Sequence, residues 1–233
     1  MATGETQLFC IGGETTVGKT TLATALRSQL PLDTVSSDAQ RSTLWHNWNR
    51  LVDTGIVAES RRPFALFRMF EERARYRDDV DWARIARQVP MHFVRSRIAQ
   101  SNYVFEHGIR PALRTNMDRQ ISTLAEGLAL RPRNIAGLRK EYPLRAVVLG
   151  NQDRHENIKR LEKAIEENPG KHWARGWNVE KRQAFAEQIR VGSYNLELSC
   201  KQHAVEYIEM SGAETPVAYA LERLLTQDVQ YTP

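Results

Sequence analysis

Eight consecutive residues, Gly13-Glu14-Thr15-Thr16-Val17-Gly18-Lys19-Thr20, follow the spacing G-x-x-x-x-G-K-[ST]. Each position has a physical task in binding phosphate. Glycines reach backbone conformations closed to other residues, so successive N–H groups can curl around phosphate oxygens at the positive end of the following helix. Lys19 is placed to reach β/γ-phosphates as a mobile point charge. The Thr20 hydroxyl is placed to ligate Mg²⁺ beside phosphate oxygens, and Thr21 completes the binding set. The flanks suit the role: Leu8-Phe9-Cys10-Ile11 reads as a short buried strand, and Leu22, Ala25 and Leu26 give the next segment a helical apolar face.

Transfer of a phosphoryl group needs positioning, charge neutralisation and a carboxylate to orient the attacking hydroxyl. Two acids stand where strands are expected to end. Asp38, in Ser36-Ser37-Asp38-Ala39-Gln40-Arg41, is expected to face the loop as a base and to share in the metal shell; an Asp there can also cap the next helix. Glu106, in Val104-Phe105-Glu106-His107-Gly108-Ile109-Arg110-Pro111, is expected to hold Mg²⁺ or its water.

Forked donors come next, because the transferring group and an anionic substrate both need them. Arg41 lies one helical turn beyond Asp38 and is the first choice for a substrate clamp. Arg175 is the second, as a donor to the transferring group. For Arg110, Arg154, Arg160 and Arg182 a solvated surface place weighs as heavily as a functional one. Trp173 and Trp177 stand in a polar, glycine-bounded stretch, where they can stack on a base, cover a closed site or pin the segment down. His155 and His203 have no metal-ligand spacing to partners.

The elements that must position these groups read as five strands, at residues 7–11, 34–36, 103–105, 145–149 and 205–208, mostly separated by helical patterns. Such alternation argues for an α/β fold with a parallel sheet and helices on both faces. The ligand then belongs at the carboxyl ends of the strands. Residues 39–99 form a long helical insertion broken near Pro63 and Pro90, suited to covering a substrate. A second insertion is expected at residues 115–142, with one helix carrying Leu124, Leu128 and Leu130. Residues 153–167 read as a helix, and 168–182 as a lid.

The 233 residues make one domain with insertions and need no disulfide or metal staple. Cys10 and Cys200 read as buried apolar side chains, and no stretch approaches a membrane span or a leader, so a cytoplasmic location is expected. The formal charge of +5 and pI near 9.4 suit anionic small molecules or, less well, nucleic acid. Mixed runs such as residues 71–79 look like solvated helix faces.

Taken together, the loop, Asp38-x-x-Arg41, Glu106-x-Gly108-x-x-Pro111 and the basic lid resemble P-loop kinases of small molecules: nucleoside, nucleotide, shikimate and gluconate kinases, polynucleotide 5′-kinases and 2-phosphoglycerate-kinase-like proteins. The resemblance implies a P-loop fold with a five-stranded parallel sheet of order 2-3-1-4-5 and a lid. It implies ATP and Mg²⁺ as cofactors and a small-molecule phosphate acceptor, with Asp38 on the acceptor hydroxyl and Arg41 on a substrate anion. A polynucleotide 5′-kinase and a nucleotide-binding module with little turnover are the alternatives. Asn151-Gln152-Asp153-Arg154 lacks the lysine and final aspartate of N-K-x-D, which argues against a signalling GTPase.

Overall fold

In a computed structural model, the described residues are 6–56, 58, 90–170, 172, 174–212 and 216–229. Pro63, the run 71–79 and Trp173 lie outside them. The chain runs β1 (Leu8–Gly13), α1 (Lys19–Arg27), β2 (Asp33–Ser36), α2 (Ser37–Asp53), α3 (Pro90–Val104), a π-helical turn (Phe105–Ile109) and α4 (Arg110–Asp118). It continues through β3 (Thr123–Glu126), α5 (Pro132–Leu138), β4 (Leu144–Gly150), α6 (Arg154–Glu167), α7 (Val179–His203), β5 (Glu206–Glu209) and α8 (Pro216–Thr226).

All strand pairs are parallel and the order is β2-β3-β1-β4-β5, as expected from the resemblance. The register aligns the carboxyl ends: Glu126 pairs with Ile11 on one side and with Ser36 on the other, while Gly13 pairs with Leu149. Every residue of central β1 is buried. Side-chain alternation sends Leu8 and Cys10 to one face and Phe9 and Ile11 to the other. The first face packs on Phe105, Ile109, Leu113, Ile135, Leu196 and Cys200; the second packs on Leu22, Leu26, Leu161, Phe185, Ile189 and Leu224. Burial of each such side chain contributes about 1.5–3 kcal/mol, so both faces are needed to hold the strand ends in line. Both cysteines sit in this core, and burial pushes each thiol up to about 12.

One expected strand is corrected. Residues 103–105 are helical, ending α3 and opening the π-helical turn, and the third strand is Thr123–Glu126, inside what reads as the second insertion. Tyr103-Val104-Phe105 is a short apolar run, and length three cannot separate a buried strand from one turn of a buried helix. Pro111 contributes to the π turn, since it has no N–H for the carbonyl four residues back and the helix widens ahead of it. Gly108 belongs to that packing: a methyl there would lie 2.8 Å from Gln40 Cβ of α2.

Sheet and site meet at Gly12. A methyl on Gly12 would lie 2.1 Å from the Leu130 carbonyl oxygen, a backbone atom that cannot swing aside. Gly12→Ala is expected to cost about 1–3 kcal/mol through overpacking, read as a fall in Tm. Gly137→Ala meets nothing within 4 Å and should leave Tm unchanged or slightly raised.

Candidate active site

The phosphate loop grows out of the end of β1. Gly13 adopts φ 134° and Gly18 φ 97°, and Thr16 also takes a positive φ of 63°. A methyl on Gly13 would strike the Leu149 carbonyl at 2.2 Å, so glycine is required both for the turn and for the approach to β4. Gly18 is the N-cap of α1 and offers no side chain to the helix's first amides, and α1 has no acid in its first turn. Those N–H groups are thus left for an anion.

Lys19 opens α1 and its Nζ donates to the Glu14 carbonyl inside the loop. Burial lowers its pKa below the ordinary lysine range, and the carboxylates of Glu14, Glu126 and Asp38 partly oppose that shift. Lys19 therefore identifies the acids near the loop. Asp38 is one; it sits in the first turn of α2, makes no side-chain cap, and pairs with Arg41 at 3.1 Å on an exposed face. The second is Glu126 at the end of β3.

Glu106, expected to hold metal at a strand end, does not stand there. It lies exposed in the π-helical turn and accepts from Arg110, whose other arm reaches Glu141. Glu126 occupies the strand-end position instead. Gly127 makes its turn possible: φ is 124°, and a methyl there would lie 1.9 Å from Ser37 Oγ at the start of α2. The close contact places Glu126 beside the segment that carries Asp38. Thr20, Asp38 and Glu126 present hard oxygen donors, which fit Mg²⁺ shared with phosphates. Among the described residues no group of three His, Cys, Asp or Glu side chains converges to hold a metal without such help.

The arginines divide. Arg41 is near Asp38. Arg110 is tied between two glutamates, Arg160 bonds Glu156 and the Met210 carbonyl, and Arg182 pairs with Glu162 at 3.6 Å. Arg175 is exposed in the loop between α6 and α7 and reaches the Gly170 carbonyl at 3.4 Å. Residues 179–182 of the expected lid form the first turn of α7. Trp177 is buried and meets Phe185 edge-on at 5.5 Å, with Lys181 over its ring, so it pins the loop onto α7.

Arg131 and Glu126 escape sequence reasoning, and Glu14 is expected there only as a member of the phosphate-binding run. Glu14, a variable position of the motif, is 2% exposed; its carboxylate accepts from Arg97 of α3 and lies against Gly192 of α7. Arg131, just before α5, is buried. Glu126 alone had a readable signal, an acid followed by glycine directly after Leu124-Ala125.

Glu126→Gln is expected to weaken Mg²⁺-dependent binding of ATP by roughly 10–100-fold. Glu106→Gln removes only a surface pair, worth about 0–1 kcal/mol, and should leave that titration unchanged. Phosphates beside Lys19 raise its pKa again, so binding takes up a proton wherever free Lys19 is deprotonated and affinity falls as pH rises through the lowered Lys19 range. Calorimetry in buffers of different ionisation heat should register that uptake in the wild type and not in Lys19→Met.

No protein-family model matches the chain, and no curated protein matches it. Solved structures do. A shikimate kinase from Bacteroides thetaiotaomicron is similar with TM-score 0.47 and 14% identity, covering 94% of this chain and 96% of that one. TT1252 from Thermus thermophilus gives 0.47 and 17%, over 95% and 97%. Dephospho-CoA kinase from Campylobacter jejuni gives 0.43 and 10%, over 94% of each chain. The loop between β1 and α1, set in a parallel sheet of order β2-β3-β1-β4-β5, gives this chain a P-loop fold.

Proposed function

We propose that the protein is an ATP- and Mg²⁺-dependent phosphotransferase that moves the γ-phosphoryl group to a hydroxyl or phosphate of a small anionic metabolite or nucleotide. One observation carries the reading: Lys19, partly buried in a loop with open amides, lies in the field of Asp38, in the first turn of α2, and Glu126, at the end of β3. A module that only bound phosphate would gain nothing from carboxylates facing its ligand, since they repel it. A metal and a deprotonated hydroxyl give them work.

Loop amides and Lys19 hold the β- and γ-phosphates and draw charge toward the bridging oxygen. Mg²⁺, when bound by Thr20, Glu126 and phosphate oxygens, neutralises charge between the phosphates. Asp38 accepts the proton of the acceptor hydroxyl, and Arg41, one turn away, can leave its partner to meet substrate charge; their pair is exposed and worth about 0–1 kcal/mol. Among the described residues, basic side chains are taken up by local pairs such as Arg160–Glu156, Arg190–Glu187 and Lys201–Glu197. That distribution supports a small acceptor over a polynucleotide track.

The test is Mg²⁺-dependent transfer of γ-labelled phosphate from ATP to separate pools of nucleosides and nucleotides, sugar acids and glycerate phosphates, and 5′-hydroxyl oligonucleotides. Labelled product in one of the first two pools, lost in a folded Lys19→Ala variant, is the expected result. Product only with oligonucleotides selects the polynucleotide kinase. Label reaching only water, or nothing, while ATP binds would make the protein a nucleotide-binding module.

A further inference from the structure

The connection between α5 and β4 carries a buried cation without a counter-ion. Arg139 continues α5, its amide donating to the Ile135 carbonyl at 3.1 Å, and the residue is only 7% exposed. One arm of its guanidinium reaches the end of α7: Nη1 donates to the Ala204 carbonyl at 2.8 Å and to the His203 carbonyl at 3.4 Å. Nε and Nη2 are themselves buried and have no hydrogen-bond partner. Among the described residues no carboxylate pairs with Arg139, so its charge meets only the carbonyl end of a 25-residue helix.

Capping that helix does not account for the residue. A cation at a helix C-terminus is stabilising, but one nitrogen serves both carbonyls here, and a lysine could do as much without hiding two further N–H groups. What arginine adds is the edge formed by Nε and Nη2, two parallel donors matched to the two oxygens of one carboxylate. Withdrawn from water and left without partners, those donors carry a desolvation cost that a hydrogen-bonding ligand removes. The edge is also held in place. α5 fixes the backbone of Arg139, and Ala204 lies in a left-handed turn at φ 51°, after which the Val205 amide donates to the Cys200 carbonyl at 3.0 Å. These anchors lead into β4 and β5, so Arg139 stands at the amino-terminal edge of the sheet, about the length of β4, roughly 20 Å, from the phosphate loop.

We propose that Arg139 forms a buried anion site at the α5–β4 connection, in which Nε and Nη2 take the two oxygens of a small monocarboxylate. Charge selects a monoanion. The guanidinium carries a single positive charge, part of which already faces the negative end of α7, and a dianion such as sulfate would leave net negative charge buried there. The bound carboxylate completes the clamp between α5 and the turn from α7 into β5. Its site shares no residue with the phosphate loop and does not rest on the kinase reading.

Formate, the smallest carboxylate, is the probe. It is titrated by calorimetry into nucleotide-free protein, with chloride holding ionic strength constant and sulfate as the dianion arm. Wild type should bind formate saturably and gain Tm with its concentration, as expected for a ligand of the folded state. Arg139→Lys keeps a charge for the Ala204 carbonyl but loses the paired edge; it should weaken formate binding roughly tenfold or more while holding most of the formate-free Tm. A direct reading comes from the ¹⁵N-labelled wild type, in which the Arg139 Nε–H signal should shift as formate is added and stay in place with equal chloride. That signal decides the matter even where the lysine variant does not fold. No saturable binding by wild type, equal binding by wild type and Arg139→Lys, or an Nε–H signal that formate leaves in place would overturn the site. Sulfate binding more tightly than formate would overturn the assignment to a monocarboxylate.

Discussion

Everything in this structure that bears on chemistry depends on keeping one ammonium group charged while it is withdrawn from water. Lys19 is drawn into the loop by its bond to the Glu14 carbonyl, and burial works against its charge. Three carboxylates oppose that effect, one from the loop, one from α2 and one from the end of β3. They come from segments far apart in the chain, and only the parallel register of β2, β3 and β1 brings them together. The two-sided apolar core is thus an electrostatic device as well as a source of stability, since it holds three strand ends level.

Glycine makes that convergence possible at two points. At Gly12 the strand passes so close to Leu130 that no side chain fits, and at Gly127 the chain turns with a positive φ against Ser37. Both contacts tie the β3 exit to neighbouring segments, the first to β1 and the second to α2. A larger residue at either point would separate groups that must act on one ligand. Conformational freedom is used here for proximity, and the flexibility it would give an open loop is removed by packing on both sides.

The phosphate loop was legible because its chemistry is local: eight contiguous residues specify backbone, charge and metal donor together, and the flanking patterns agree. The first and fourth strands were legible for a similar reason, each being a short apolar run beside a helical pattern, and the second and fifth were legible from their β-branched and aromatic residues between helical patterns. The third was not. Tyr103-Val104-Phe105 offers better strand formers than Thr123-Leu124-Ala125-Glu126, yet the former lies in a helical run that continues through Pro111 into α4. Propensity was overruled by the tertiary requirement that a short strand fit between β2 and β1. The misplaced strand carried the misplaced acid with it, so the strand-end position expected of Glu106 belongs to Glu126.

Arg97 and Arg131 were illegible for a different reason. Arg97 pairs with Glu14 across the fold and Arg131 is buried, and neither property is encoded at a fixed spacing. Backbone amides and a motif lysine suffice for a triphosphate, because every such ligand presents the same anions at the same intervals. An acceptor presents its charge at a distance set by its own skeleton, so the donors that meet it must come from whichever elements happen to stand there. Nucleotide recognition in such a fold can therefore be compressed into one motif, whereas acceptor recognition is distributed over segments that only the folded chain brings together.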